Sequence, residues 1–315
     1  MSYLLSCLLF LNSFKLSKQF KWQNKKFSSF NLNHGKTSVV PTMMSASESV
    51  KRILVLGGSG FVGGSFLKEY STFIKRRSMQ NESEQNIEIV SISRRGVTEA
   101  VTRSDGCSIR LISVKGDATN ETAISDVFSK YGPFDVCVHS MGVLLDANSG
   151  GGLLNKYASG SGSEVSADAT YDKITRLSAF LVLDALQSQR TTEPPVFVFI
   201  SAAEAGWTVE PPVDWLRRYL KAKRQVEERL LSLNAAGSVR AVIFRPSLIW
   251  TWKRPQALIS VAPFYAASKF GFPFVDRPTT LEDLVKAMSV AIQDKSVSGV
   301  KRFKDIDALA AQANI

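Results

Sequence analysis

Residues 51–64 read KRILVLGGSGFVGG, so a short apolar run passes into a glycine cluster and then into a helical pattern of apolar residues. This order predicts a β-strand, a tight turn and an α-helix, which together form the first unit of a dinucleotide-binding fold. Phosphates would bind to the free N–H groups at the start of the helix, where the helix dipole favours negative charge. Without the flanking strand and helix, such glycines would predict no more than a turn of the chain.

The glycines of this stretch have different predicted roles. Gly57 turns the chain off the strand, Gly58 and Gly60 let the backbone approach a pyrophosphate, and Gly63 lets the helix pack against the strand. Two spacings overlap, GxGxxG from Gly58 and GxxGxxG from Gly57. The predicted phosphate-binding residues are Gly57, Gly58, Ser59, Gly60, Phe61, Val62 and Gly63.

Strand and helix patterns alternate over residues 48–250, which predicts an α/β fold with a Rossmann-like, doubly wound parallel sheet in an NAD(P)-binding domain. Residues 251–315 are expected to form a small C-terminal substrate lobe that completes the same domain. Residues 148–168 are rich in Gly, Ser and Ala, which predicts a surface loop near the cofactor. After the first strand, the predicted strands are 87–93, 112–114, 134–139, 196–200 and 242–244.

The first 47 residues contain six lysines and no acidic residue. This composition predicts a targeting segment that organelle import reads, with the mitochondrial matrix, near the inner membrane, as the expected destination. Mitochondrial presequences usually contain arginine, which this segment lacks, so a plastid transit peptide is an alternative. An unprocessed disordered tail is a third interpretation.

Charge and cysteine usage limit the remaining function classes. The whole chain has a formal net charge of +11, of which about +5 lies outside the first 47 residues, and this modest surplus argues against nucleic-acid binding. Three cysteines and two histidines without metal-ligand spacing predict that there is no metal site. Cys137 lies in an apolar run and is expected to be a buried thiol in a reducing compartment.

The end of the second predicted strand bears on cofactor selectivity. NAD-selective folds usually have a carboxylate there, but this chain has Ser93, Arg94 and Arg95. Guanidinium groups bind phosphate through a planar fork, so we expect NADP(H) to be preferred over NAD(H). The alternative is that both arginines are solvated loop residues. Asp117 follows the third predicted strand and either meets the adenine edge or caps a turn.

A candidate proton-transfer pair lies on the helix that follows the fifth predicted strand. Tyr219 and Lys223 are four residues apart and therefore share a helix face. A nearby ammonium is expected to lower the pKa of Tyr219, which suits proton transfer. Ser201, at the end of the preceding strand, could hydrogen-bond the reacting oxygen. We therefore predict Ser201, Tyr219 and Lys223 as the catalytic residues.

These residues together resemble the short-chain dehydrogenase/reductase superfamily, in its extended or atypical branch, over most of residues 51–300. Arg245-Pro246-Ser247 is similar to the segment that flanks cofactor and substrate in that family. The resemblance implies cofactor contacts from Ser140, Gly142, Tyr219, Lys223, Arg245 and Pro246. The family often has an Asn where this chain has Thr175 or Arg176, and a second hydroxyl residue where it has Ala202 and Ala203.

A closer likeness is to mitochondrial NAD(P)-binding proteins associated with ubiquinone biosynthesis, and to their plant and plastid relatives. It is carried by the segments 138–145, 170–172, 200–202 and 219–227. This likeness implies an NADP(H)-dependent oxidoreductase with a small apolar, quinone-like substrate, contact with a membrane surface, and a quinone-biosynthesis complex as partner. The alternative function is a non-catalytic nucleotide-binding assembly or regulatory protein of such a complex or of a respiratory complex.

An aromatic-rich stretch follows the predicted sheet and could line an apolar substrate pocket. The same pattern is also typical of an ordinary hydrophobic core. Its members are Trp250, Trp252, Phe264, Tyr265, Phe270, Phe272 and Phe274.

Overall fold

The computed structural model describes residues 50–81, 85–96, 100–104, 107–143, 146, 148, 169–189, 191, 193–211, 213–253, 258–269 and 275–313. The described residues belong to one compact unit, Glu48–Ile315. The predicted targeting segment 1–47, nearly all of the predicted loop 148–168, and three of the predicted pocket aromatics, Phe270, Phe272 and Phe274, lie outside the described residues. Within the described part of the chain, no helix is both long and apolar enough to cross a bilayer.

The central sheet has seven parallel strands and one antiparallel edge strand, in the order β10-β7-β6-β5-β1-β2-β4-β3. A separate pair, β8 with β9, is also parallel. The strands are β1 (Lys51–Leu56), β2 (Gln85–Ser93), β3 (Ala100–Ser104), β4 (Cys107–Lys115), β5 (Val136–His139), β6 (Val196–Ile200), β7 (Arg240–Phe244), β8 (Ile249–Trp250), β9 (Thr279–Thr280) and β10 (Gly299–Lys301).

The helices cover both faces of this sheet. Residues of α1, α6 and α7 pack in one hydrophobic core, and residues of α2, α3 and α4 pack in another on the opposite face. A π-helical turn, Asp172–Leu177, leads into α3, and a 3₁₀ turn, Ala203–Gly206, follows β6. The helices are α1 (Phe61–Asn81), α2 (Glu121–Tyr131), α3 (Ser178–Ser188), α4 (Asp214–Ala235), α5 (Leu258–Lys269), α6 (Leu281–Gln293) and α7 (Phe303–Gln312).

The central strands alternate between the two cores. Ile53 and Val55 of β1 pack with the first core, whereas Leu54 and Leu56 pack with the second. Strands that bury both faces need apolar residues at every position, which is why 196–200 is a continuous apolar run. The predicted Rossmann-like doubly wound parallel sheet is confirmed.

The strand order places a topological switch point between β1 and β5. The chain winds from β1 outward through β2 and β4, then returns to β5 on the other side of β1 and winds outward through β6 and β7. The crossover loops therefore diverge at the carboxyl ends of β1 and β5 and leave a crevice there. Open α/β sheets bind their ligands in that crevice.

The C-terminal residues complete the same sheet. Strand β10 pairs with β7, with Gly299 opposite Val242, and adds the seventh parallel strand. Helix α6 covers the sheet beside α1, since Leu284 and Met288 lie in the same core as Phe66 and Tyr70. Thr280 caps α6 by accepting a hydrogen bond from Asp283 N. The predicted C-terminal segment thus contributes a strand and a covering helix to the central sheet.

Candidate functional site

Backbone hydrogen bonds hold the glycine turn after β1 in place. Gly57 adopts a φ of +84°, which favours glycine, and its N–H donates to Ile92 O at 3.0 Å. Gly60 N donates back to Gly57 O at 2.8 Å. A β-carbon on Gly63 would lie 2.3 Å from Gly57 O and 2.5 Å from Ser140 Oγ. Only glycine at position 63 therefore allows α1 to begin this close to β1.

Gly58 has a second steric role, which is to allow contact with β2. A β-carbon at Gly58 would lie 2.0 Å from Ser91 Oγ, the side chain directly beneath it. The turn and the first residues of α1 thus lie against the carboxyl ends of β1 and β2. This is the cradle that a dinucleotide pyrophosphate needs, with free N–H groups of a helix N-terminus at one side.

The segment after β5 lies between this cradle and the catalytic residues predicted on α4. Both the N–H and the hydroxyl of Ser140 donate to Leu56 O, at 3.1 and 2.7 Å. A β-carbon on Gly57 would come 3.1 Å from Met141 Cγ, and one on Gly142 would come 3.9 Å from Lys223 Nζ. The glycine turn, the Ser140–Gly142 segment and Lys223 are therefore neighbours at the switch point.

The residues predicted to select the cofactor lie at the carboxyl end of β2. Ser93 is buried, and its Oγ has no hydrogen-bond partner within the described ranges of the chain. Arg94 and Arg95 follow it and are exposed. An unpartnered hydroxyl beside two guanidinium groups fits a ribose or a phosphate, so these residues and the glycine turn together fit a dinucleotide.

Asp117 follows β4 and caps a turn. Its Oδ1 accepts from the N–H of Thr119 at 2.9 Å and from the hydroxyl of Thr119 at 2.8 Å. Of the two interpretations of Asp117, the structure confirms the turn-capping one. Contact between Asp117 and an adenine edge stays a prediction.

Tyr219 and Lys223 lie on one face of α4, as their spacing predicts. Lys223 is buried, and its Nζ donates to Ile200 O at 2.6 Å. The same Nζ lies 4.8 Å from the centre of the Phe199 ring and 5.7 Å from that of Tyr219. Tyr171 meets Tyr219 edge to face, with ring centres 5.4 Å apart. The structure therefore fixes both side chains at the carboxyl ends of β5 and β6.

The expected net lowering of the Tyr219 pKa is wrong. Burial raises the pKa of the Tyr219 phenol, and the nearby Glu204 and Tyr171 raise it further. Burial lowers the pKa of Lys223 to about 8, against the opposing effect of Glu227. Near neutral pH, Tyr219 is thus a neutral phenol that can donate a proton, beside an ammonium that loses its own proton near pH 8.

Ser201 directly follows β6, at the carboxyl end of the sheet. Its N–H donates to Phe244 O at 2.7 Å, so the strand alternation extends to this residue and places its side chain on the same face as that of Phe199. Lys223 contacts Phe199 from that face. Ser201 is 4% exposed, and its Oγ lacks a hydrogen-bond partner in the described part of the protein. This hydroxyl therefore has hydrogen-bonding capacity that the described residues do not use.

Arg245 and Pro246 follow β7, and their polar groups already have protein partners. The Arg245 guanidinium donates to both carboxylate oxygens of Glu227, at 2.9 and 2.5 Å. Pro246 O accepts from Ala203 N at 2.9 Å. Glu227 is 3% exposed, so this is a buried ion pair that joins α4 to the end of β7. A direct cofactor contact from Arg245 or Pro246 stays a prediction.

A cavity of about 250 Å³ lies beside the 3₁₀ turn and the residue that follows β7, and its lining includes charged side chains that the predicted apolar pocket lacks. Trp250 meets Trp252 with ring centres 4.7 Å apart, but Trp252 is 70% exposed and Tyr265 is 46% exposed, so these two side chains do not line an enclosed pocket. The side chain of Phe264 lies outside the described set. The cavity is lined by Ala203, Gly206, Trp207, Thr208, Arg245, Asp276 and Arg302.

Sequence reasoning missed two groups beside the crevice. Glu204, in the 3₁₀ turn, has a pKa raised by burial and by Asp276, and it acts on Tyr219. His139, at the end of β5, is fully buried against Phe197 and Phe199. Neither residue lies at a regular sequence spacing from Tyr219 or Lys223. Glu204 and His139 come close to these residues only when the strands pair and α4 packs on the sheet. Among the described residues, no group of three His, Cys, Asp or Glu side chains could hold a metal ion.

The chain matches no model of a known protein family and no curated protein. Its fold is similar to that of a thiolation-reductase di-domain from an archaeal non-ribosomal peptide synthetase, with a TM-score of 0.50 and 15% identity over 81% of this chain and 56% of that chain. A small-chain dehydrogenase in complex with NADPH matches with a TM-score of 0.48 and 16% identity, over 83% of this chain and 99% of that one.

The UDP-glucose 4-epimerase of Thermus thermophilus, solved in complex with NAD, matches with a TM-score of 0.46 and 16% identity, over 84% of this chain and 83% of that chain. At these identities the similarity concerns the fold. The chain has the Rossmann-like α/β fold, with a glycine turn of the dinucleotide-binding type at its switch point.

Proposed function

We propose that this protein is a nicotinamide-dinucleotide-dependent oxidoreductase of the short-chain dehydrogenase/reductase type. The observation that carries the proposal is that the glycine cradle, the Ser140–Gly142 segment and Lys223 are neighbours at the switch point, with Tyr219 beside Lys223. When bound, the dinucleotide supplies the hydride donor or acceptor. Gly57 to Gly63, Ser93, Ser140 and Gly142 would hold it.

The residues of this chain supply the proton and the orientation. In the reductive direction, the neutral phenol of Tyr219 donates its proton to a substrate carbonyl oxygen, and the Ser201 hydroxyl hydrogen-bonds the same oxygen. The Lys223 ammonium, held by Ile200 O, stabilises the tyrosinate that results. The roles reverse for oxidation of an alcohol.

Substitution of Tyr219 by Phe tests the catalytic assignment. Turnover of a short-chain quinone by the full chain with NADPH should fall about 10²- to 10⁴-fold, because the proton donor is lost. The NADPH Kd should stay within about threefold, since the phenol contributes little to pyrophosphate binding. Steady-state kinetics and nicotinamide fluorescence measure the two effects. The control is Tyr131→Phe, at the C-terminal end of α2 and the opposite end of the sheet; unchanged turnover in Tyr219→Phe would refute the assignment.

Cofactor preference is the finer part of the proposal. We infer that NADP(H) is preferred over NAD(H), supported by Arg94 and Arg95 at the end of β2 and by the absence of a carboxylate among residues 93–96. In the double variant Arg94→Ala/Arg95→Ala, the NADPH Kd should rise about 10- to 100-fold, because charge-assisted hydrogen bonds to the 2′-phosphate are lost. The NADH Kd should stay within about twofold of its original value, since NADH lacks that phosphate.

The matched control for this pair is Arg110→Ala, an exposed arginine on β4 that contacts Glu88 at 3.4 Å. It changes the net charge without touching the end of β2, and should leave both affinities unchanged. Equal weakening of NADPH and NADH in the double variant would contradict an NADP(H) preference.

The substrate and the cellular setting are proposed from the sequence resemblance. The substrate would be a small apolar, quinone-like molecule, and the protein would act in ubiquinone biosynthesis at the matrix side of the mitochondrial inner membrane, or in a plastid. It would contact a membrane surface and a quinone-biosynthesis complex. The cavity beside the 3₁₀ turn would admit the polar head of such a substrate, supported by Thr208 and Arg302 in its lining.

A non-catalytic assembly or regulatory role is the second candidate function. It is favoured by the raised pKa of Tyr219 and by Ala202 and Ala203, which leave Ser201 without a neighbouring hydroxyl. Complementation of a deletion strain by Tyr219→Phe separates the two functions. Full rescue by this variant would support assembly, and failed rescue at normal protein abundance would support catalysis.

A further inference from the structure

A buried polar cluster lies beneath the proposed catalytic pair and has no part in the mechanism above. Its members are His139, Thr175 and Ser178. His139 and Ser178 are fully buried and Thr175 is 1% exposed. They lie at the end of β5 and on the π-helical turn and α3 that pack over it.

The hydrogen bonds of Ser178 fix the tautomer of His139. The Ser178 hydroxyl donates to Ile174 O at 2.6 Å, and this uses its single proton. His139 Nε2 lies 2.8 Å from the same hydroxyl oxygen, so Nε2 must be the protonated nitrogen that donates. His139 Nδ1 is therefore an unprotonated acceptor. It has no hydrogen-bond partner in the described portion of the chain.

Lys223 and His139 approach the same aromatic ring. Lys223 Nζ lies 4.8 Å from the Phe199 ring centre, and the His139 ring centre lies 5.5 Å from it. One of the three N–H groups of Lys223 donates to Ile200 O, which leaves two for other acceptors. Lys223 is also close enough to His139 to lower the pKa of the imidazole, so a cationic donor and a neutral acceptor share this buried region.

Thr175 supplies a third polar group on the same side. Its element and α4 run in the same direction, because each connects the carboxyl end of one parallel strand to the start of the next. Tyr171 contacts Tyr219, and the buried Thr175 and Lys223 each lie four residues further along these two elements, on the side where the elements pack together. Thr175 Oγ1 is buried and has no partner within the ranges that the structure describes.

We propose that His139 is a positioning residue for Lys223: its unprotonated Nδ1 accepts a hydrogen bond from a buried water that the Lys223 ammonium and the Thr175 hydroxyl also contact. A water with two to four polar partners is the usual way in which buried polar groups of this kind are satisfied. This water holds the ammonium beneath Tyr219 and stabilises its charged form. The role in catalysis rests on the proposed function, but the contact itself does not.

Two other titratable groups lie close to Lys223. Tyr219 and Glu227 lie on its own helix, and Glu227 is held by Arg245 from the end of β7. Burial and Lys223 lower the pKa of His139 to about 3, so the imidazole stays neutral and keeps its acceptor at working pH. A change in the pKa of Lys223 after substitution of His139 therefore reports the loss of this acceptor.

The test is an NMR titration of Lys223 in the full chain without cofactor or substrate, with Lys223→Met to assign the signal. His139→Phe should lower the Lys223 pKa by about one unit, because a hydrogen-bond partner of the charged form is lost. His139→Gln supplies both a donor and an acceptor and should restore most of the shift. Thr175→Val, which keeps shape and removes the hydroxyl, should give a smaller shift of the same sign and serves if His139→Phe does not fold.

Two outcomes overturn the inference. One is a Lys223 pKa that is the same in wild type, His139→Phe and Thr175→Val; the other is a high-resolution crystal structure without a water between His139 Nδ1 and Lys223 Nζ. The proposed function is tested separately by Tyr219→Phe turnover. If the Lys223 pKa shifts but the wild-type protein shows no turnover, the positioning contact is supported and the proposed enzymatic function is refuted. If turnover depends on Tyr219 but the Lys223 pKa does not shift, the enzymatic function is supported and the positioning contact is refuted.

Discussion

Gly63→Ala should abolish dinucleotide binding, raising the NADPH Kd more than about 100-fold. The added methyl would lie 2.3 Å from Gly57 O and 2.5 Å from Ser140 Oγ, so the start of α1 must move away from β1. This movement takes at least two N–H groups out of reach of the pyrophosphate, and charge-assisted hydrogen bonds contribute about 1.5–3 kcal/mol each. Titration of nicotinamide fluorescence with the full chain measures the Kd.

Gly64→Ala is the matched control on the same turn of α1. Its added methyl would approach Gly58 O to 3.2 Å, which a shift of a few tenths of an ångström relieves. We expect this variant to bind NADPH within about threefold of wild type, since alanine also favours the helix. Wild-type affinity in Gly63→Ala would show that the phosphates do not bind at this turn.

The largest effect on stability is expected from Arg245→Met. The substitution leaves the Glu227 carboxylate, only 3% exposed, without the guanidinium that donates to both of its oxygens. Breaking a buried ion pair by removal of one partner costs about 3–5 kcal/mol in the free energy of unfolding. Urea unfolding followed by circular dichroism measures the loss.

The double variant Arg245→Met/Glu227→Leu separates pairing from packing. It removes both charges and fills the space with apolar groups, so most of the lost stability should return. If Arg245→Met instead kept wild-type stability and weakened NADPH binding more than about tenfold, the predicted cofactor contact of Arg245 would be correct and its structural role wrong.

The local features of the site follow from the sequence because short-range chemistry decides them. A strand that runs into Gly57-Gly58-Ser59-Gly60 has few ways to turn into a helix, and the observed turn matches the predicted one. A run as apolar as 196–200 is stable only where both faces are buried, and it became a central strand. Four-residue spacing alone placed Tyr219 and Lys223 on one helix face.

Edge strand β3 shows the limit of pattern reasoning. Residues 100–104 read AVTRS, too short and too polar to predict a strand, and they are ordered by antiparallel pairing with β4, where Ala100 lies opposite Leu111. Likewise, β10 has three residues and becomes a strand because it pairs with β7. The partner of β10 lies far away in the sequence, so no local window contains it. Strand β3 pairs with the strand that directly follows it, with Ser104 opposite Cys107, but its own short polar sequence carries no strand pattern.

The sequence by itself determined the Rossmann-like fold, the glycine turn and the placement of Ser93, Ser201, Tyr219 and Lys223 at strand ends or on one helix. Only the tertiary structure decided the electrostatics of the site. Burial raises the pKa of Tyr219, where the local spacing predicted a decrease, and lowers that of Lys223 to about 8. The free energy of a charge depends on the solvent and partners around it, and only the packed helices and paired strands set both.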